Sequence, residues 1–167
     1  SDLDYLIVDL PPGTGDIPLT LAQTIPITGI LVVTTPQDVA SNVAVKAIGM
    51  FEKLNVPILG VVENMSYFIC PTCNDKHYIF GEGGARKISE QFKIPFLGEI
   101  PLNSGIMAGS DLGKPIIITN PDSPSAIAFR SSAKNIAAQC SILAAKMQEE
   151  MKSESENKPA DDSSQTN

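Results

Sequence analysis

The sequence predicts an α/β domain on a partial doubly wound, mainly parallel sheet, and three observations predict it. Short apolar runs at 4–9, 30–35, 58–62, 96–100 and 116–118 are unbroken, not alternating, as strands buried on both faces are. Helical patterns lie between them, the alternation of a doubly wound fold. The first run, Tyr5-Leu6-Ile7-Val8, ends in Asp9, and the carboxyl end of a buried parallel strand is where ligand crevices form.

The elements follow in order. Residues 4–9 are the first expected strand. The loop Pro11-Pro12-Gly13-Thr14-Gly15 follows, and a helix opens at Asp16 or Ile17 with Pro18 in its first turn. Ile30-Leu31-Val32-Val33-Thr34-Thr35 is the next strand. Residues 38–54 place Val43, Ala47, Met50, Phe51 and Leu54 on one stripe, and that helix stops before Val56-Pro57. A strand at 58–62 leads to a loop or hairpin carrying Cys70-Pro71-Thr72-Cys73. Residues 84–93 form a shorter helix, 96–100 and 116–118 two further strands. Ser123 caps a long last helix with Pro124 at its first position. Its apolar stripe is Phe129, Ala133, Ile136, Cys140, Leu143 and Met147.

Composition sets outer bounds. A chain of 167 residues, 43% hydrophobic and 19% charged, suits one domain with a real core, placed at 1–148. Ser, Glu, Asp, Lys and Asn dominate 149–167, which reads as a disordered acidic tail. That tail carries −4 of the formal charge of −7, so the body is nearly balanced and offers no basic surface for nucleic acid. No apolar stretch would span a bilayer, no signal peptide is visible, and the expected location is cytoplasmic. Three cysteines, two of them close together, fit a reducing compartment and a metal site better than a disulfide framework. The start at Ser-Asp-Leu, directly before a strand, reads as a cut fragment.

Three constellations carry chemistry. Asp9 alone would be a turn or cap. With Pro11-Pro12-Gly13-Thr14-Gly15-Asp16 attached, it reads as a carboxylate that orders Mg²⁺ beside a phosphate, because the glycines let backbone N–H groups approach closely. Cys70 and Cys73 can hold one metal or cluster edge from the same side. A tetrahedral or cubane site wants four ligands. His77, the only histidine, could be a third, and a two-fold dimer bringing two pairs together would supply four thiolates. A redox dithiol or an idle reduced pair are the other readings, and Cys140 reads as core. Asn64, in Val62-Glu63-Asn64-Met65-Ser66, sits at a strand exit where its amide could read an adenine edge or simply make a turn. The backbone of Gly98-Glu99-Ile100-Pro101-Leu102 could wall the same pocket. No Gly-x-x-x-x-Gly-Lys-Ser/Thr loop occurs in the 167 residues.

Taken in order, seven motifs resemble the Mrp/ApbC family of iron–sulfur cluster carrier ATPases, relatives of MinD and nitrogenase iron protein. They are Asp9 to Asp16, Thr34-Thr35-Pro36-Gln37, Val62 to Ser66, Cys70-x-x-Cys73, Phe80-Gly81-Glu82-Gly83-Gly84, Leu97 to Leu102 and Gly113-Lys114-Pro115. The match runs from residue 4 to about 145. The resemblance implies a MinD-like P-loop NTPase fold that uses ATP and Mg²⁺. It implies a homodimer that bridges a [4Fe-4S] cluster through Cys70 and Cys73 and delivers it to apo iron–sulfur proteins. Asp9 matches the family's metal aspartate, Gly13 and Asp16 its phosphate-sensing switch, and Asn64 its adenine contact, with Pro101 beside it. The family's deviant P-loop and water-orienting aspartate do not occur here. The resemblance therefore implies ATP hydrolysis by the intact protein and not by this chain alone, and strands left unpaired and prone to aggregate. Other classes are a MinD/ParA-type partitioning or targeting switch, a zinc-bridged structural dimer and a dithiol oxidoreductase. The cysteine pair opposes the first of these.

Overall fold

The computed structural model describes residues 3–11 and 15–156. Eleven elements follow one another: α1 (Asp16–Thr24), β1 (Ile30–Thr34), α2 (Asp38–Lys53), β2 (Ile58–Glu63), β3 (Phe68–Ile69), β4 (Lys76–His77), α3 (Gly84–Phe92), β5 (Phe96–Glu99), α4 (Ser104–Asp111), α5 (Ile116–Thr119) and α6 (Pro124–Glu156). β1, β2 and β5 form a parallel sheet in that order, and β3 with β4 forms a separate antiparallel hairpin.

The sheet is covered on both faces, which is why its strands are continuously apolar. Side chains alternate across a strand, so Val32 and Val61, paired in register, point one way and Val62 and Leu97 the other. On the first face, Ala44 and Ile48 of α2 and Ala85 and Ile88 of α3 close over Val32 and Val61. On the second, Val62, Leu97 and Ile100 pack against Ile106 of α4 and Ala128 and Ile136 of α6. The sheet is doubly wound, as the alternation predicted.

α6 reaches the sheet through small residues. A Cβ on Gly98 would collide with Ser132 Oγ and lie 3.2 Å from Ser132 Cβ. Ser125, Ala126 and Ser132 are buried on that helix face, and Asn135 Nδ2 donates to Leu97 O at 2.9 Å. The expected apolar stripe is therefore rotated: Ile136 is half-buried, while Phe129 and Met147 are 38% and 39% exposed. Close approach to a glycine selected the small residues over the large ones. Ser123 does cap the helix, its Oγ accepting the Ala126 N–H at 3.2 Å. The helix continues past residue 148 to Glu156, into the segment expected to be a tail, and 157–167 lie outside the described residues.

Three further expectations change. Residues 4–9 form no strand: among the described residues none pairs with them, and Leu6 and Ile7 are 78% and 89% exposed. Apolar β-formers become a strand only where a neighbour takes up their N–H and C=O groups, and no strand of the sheet does so. Residues 116–118 form the turn of helix α5, because Pro115 accepts from Ile118 N at 2.9 Å and, among the described residues, no strand lies alongside. In α2 the buried line is Ala44, Ile48 and Phe51, with Val43 on the exposed side. α4 was not foreseen. It is capped by Asn103, whose Oδ1 accepts the Gly105 N–H at 2.6 Å. Among the described residues, no helix is long and apolar enough to cross a membrane.

Candidate functional site

The carboxyl end of the parallel sheet builds the site. Past Glu63 and Glu99, which pair in register, the two chains stay stitched together. Ile100 N donates to Glu63 O at 2.8 Å, Ser66 N to Ile100 O at 3.0 Å and Leu102 N to Tyr67 O at 2.7 Å. This ladder delivers the chain into the β3–β4 hairpin, so the hairpin projects from the sheet edge where ligands bind in open α/β folds.

The hairpin turn gathers the cysteines. Phe68 pairs with His77 and Ile69 with Lys76. Cys70 N then donates to Asp75 O at 3.0 Å, and Asn74 N to Cys70 O at 2.9 Å. Asn74 takes a left-handed φ of 59°, a conformation asparagine tolerates, and that reverses the chain. The turn folds Cys73 back towards Cys70. Cys70 Sγ, Cys73 Sγ and a ring nitrogen of His77 all lie within 4.8 Å of one another. Cys70 is half-buried; Cys73 and His77 are exposed. Backbone N–H groups of Cys73, then Thr72, point at the Cys70 sulfur and hold its thiol below the ordinary range, with the Cys73 side chain adding to the effect. That is the environment a thiolate ligand needs. Cys140 is half-buried on α6, apart from the cluster.

Aromatic contacts stiffen the base of the hairpin. Lys76 Nζ lies 4.0 Å from the Tyr67 ring centroid, and the Tyr67 and Tyr78 rings meet edge to face at 6.4 Å. Burial, then the charge of Glu99, then Tyr78 push the Tyr67 hydroxyl above its ordinary value. Beneath lies a cavity of about 390 Å³ lined by Glu63, Ser66, Lys76, Tyr78, Arg86 and Glu99.

Glu63 is the residue sequence reasoning passed over. It is 1% exposed, and its carboxylate accepts the Ser66 hydroxyl at 2.6 Å and the Ala85 N–H at 2.7 Å. The second bond ties the N-terminus of α3 to the end of β2, where a negative group is favoured. Arg86, one residue on, forms an ion pair with Glu99 at 2.7 Å and lies over the Phe96 ring. The signal was a charged residue closing an otherwise apolar strand, Val61-Val62-Glu63.

The other expected residues are placed as follows. Asn64 and Pro101 follow the ends of adjacent strands. Asn64 N donates to Thr34 O at 2.7 Å, and its Oδ1 accepts the Met65 N–H at 2.9 Å, so its amide oxygen is held in its own turn. Pro101 is buried. Asp9 is exposed in the unpaired first segment, Asp16 is the exposed first residue of α1, and Gly13 lies outside the described residues. The structure brings Cys70, Cys73 and His77 together and sets Asn64 and Pro101 on one sheet edge.

Comparison with known proteins is specific. Residues 1–137 match the family model described as ParA, the NUBPL iron-transfer P-loop NTPase. An iron–sulfur cluster carrier protein of Deinococcus radiodurans is 54% identical over 85% of this chain and 40% of its own length. The iron–sulfur cluster transfer protein NUBPL of Dictyostelium discoideum is 50% identical over 84% of this chain and 44% of its own. The chain thus spans less than half the length of these curated relatives. Among solved structures, a nucleotide-binding protein of Archaeoglobus fulgidus in complex with ADP, with cobalt found in it, is 45% identical. It superposes with a TM-score of 0.63 over 76% of this chain and 51% of that one. The cell division ATPase MinD of Pyrococcus furiosus is 27% identical, with a TM-score of 0.51 over 65% of this chain and 41% of its own.

Proposed function

The chain belongs to the Mrp/ApbC–NUBPL family of iron–sulfur cluster carrier P-loop NTPases, and from that premise we propose that it carries a [4Fe-4S] cluster between two copies of itself and passes it to apo-proteins. One observation carries the reading. Two cysteine sulfurs stand side by side at an exposed hairpin tip, and N–H groups stabilise the thiolate of Cys70. Two thiolates are half the ligand set of a cubane cluster, and a two-fold axis through the tips doubles it.

The cluster is cargo, so the chemistry is coordination and release. Nucleotide use belongs to the whole protein. Asp9 is the residue to order Mg²⁺, with Gly13 and Asp16 in the phosphate-sensing loop. Asn64 and Pro101 border the adenine. Because the Asn64 carbonyl is engaged by Met65 N–H, its NH₂ group is what it offers to a base acceptor. Recipient apo-proteins and a cytoplasmic setting are parts of the same proposal.

The test is anaerobic iron–sulfide reconstitution of the chain and of a Cys70→Ala/Cys73→Ala variant, with absorbance, iron and sulfide content and mass read together. A brown dimer with one cluster per two chains, lost in the variant, is the expected result. A folded chain that stays colourless, or colour retained without the cysteines, refutes the reading.

A further inference from the structure

We propose that His77 joins Cys70 and Cys73 in a three-ligand centre complete within one protomer, which holds a single divalent cation of the Zn²⁺ type. The inference does not rest on cluster carriage, which needs two thiolates from each of two copies and no histidine.

The hairpin register makes the case. Phe68 and His77 are directly opposed, so their side chains share one face. Cys70 directly follows β3, and its N–H bond to Asp75 O continues the hairpin pairing one step, diagonal to His77. The Asn74 reversal returns Cys73 over it. All three donor atoms already lie within 4.8 Å of one another. A tetrahedral ion with bonds of about 2.3 Å to sulfur and about 2.0–2.1 Å to nitrogen needs donors roughly 3.5–3.8 Å apart. The difference is at most about 1 Å, within reach of side-chain rotation at an exposed tip.

The donor chemistry agrees. Two thiolates and a neutral imidazole suit Zn²⁺ over Mg²⁺ or Ca²⁺, and two negative charges neutralise the ion without a counter-ion. Among the described residues no hydrogen bond or ion pair engages the His77 ring, so ligation breaks nothing. Binding displaces to solvent any proton still on the ligating sulfurs. Three protein ligands would leave a fourth position for water or an incoming thiolate. Joining two tips in a four-thiolate centre then requires only that the imidazole swing away.

The experiment titrates Co²⁺, a coloured stand-in for Zn²⁺, anaerobically into the full chain at a concentration where sedimentation shows monomer. The expected result is one Co²⁺ per chain, with thiolate charge-transfer bands and the intense visible bands of a tetrahedral ion. His77→Ala should weaken binding at least tenfold and alter those visible bands, while His77→Cys should restore affinity with stronger charge-transfer absorption. A second readout needs no variant: Zn²⁺ should shift the His77 ring resonances. Equal affinity and spectrum in His77→Ala, uptake of only one ion per two chains, or no uptake would each overturn the proposal. Cluster reconstitution of His77→Ala separates the two readings, since the four-thiolate cluster should load in that variant.

Discussion

Adding one methyl group at Gly98 should loosen α6 from the sheet, and removing one oxygen at Ser132 should restore part of the loss. A Cβ at Gly98 collides with Ser132 Oγ and lies 3.2 Å from Ser132 Cβ. Overpacking of this kind costs about 1–3 kcal/mol. The Gly98 φ of +156° adds strain that no repacking relieves, of the order of 1 kcal/mol. Gly98→Ala alone should therefore destabilise by roughly 2–4 kcal/mol. Ser132 Oγ is buried with no hydrogen-bond partner, so Ser132→Ala alone should be neutral or slightly stabilising. In the double variant the oxygen is gone and only the 3.2 Å carbon contact and the strain remain. The coupling energy should be about 1–2 kcal/mol. Urea unfolding followed by helical circular dichroism gives all four corners of the cycle. Additivity within about 0.5 kcal/mol would refute the close helix–sheet approach.

Two other substitutions test the core and the site edge. Ile48 has no exposed surface and sits between α2 and the sheet, so Ile48→Ala should cost about 2–5 kcal/mol in the same urea assay. Glu63→Ala strands the Ala85 N–H and the Ser66 hydroxyl and should cost about 2–4 kcal/mol, with faster amide exchange at Ala85. Glu63→Gln keeps an acceptor for Ala85 and can donate to a rotated Ser66 hydroxyl, so its cost should be nearer 1 kcal/mol. A loss below about 1 kcal/mol in Glu63→Ala would show that the carboxylate's bonds to Ser66 and Ala85 contribute little.

The sheet was legible because burial on both faces leaves a compositional mark. Val32, Val61 and Leu97 each lie in a run with no polar alternation, and those runs became β1, β2 and β5. Residues 4–9 bear the same mark and form no strand, because composition records a strand's capacity and pairing supplies the strand itself. Ile116–Thr119 failed for a related reason: three isoleucines fit a strand, yet Pro115 supplied the acceptor for a helical turn. The stripe on α6 was misplaced because a hydrophobic count cannot see Gly98 on the opposing strand.

The site divides along the same line between local and non-local information. Cys70 and Cys73 were legible because their spacing alone brings two sulfurs to one turn. Asn64 and Pro101 follow the ends of β2 and β5, whose apolar runs were legible, and parallel pairing puts those strand ends side by side. His77 needed the register: its distance along the chain from Cys70 does not tell which face of a hairpin it occupies, and the Phe68–His77 pairing does. Glu63 needed more, since its partner Ala85 lies 22 residues away and its role is to fasten α3 to β2. The same carboxylate holds Ser66, whose N–H bonds Ile100 at the root of the hairpin. One buried side chain thus ties the strand that leads into Asn64, the helix that follows the hairpin, and the segment that carries the cysteines. Such a group shows in a sequence only as an acid where an apolar residue belongs, and that exception is the mark to search for.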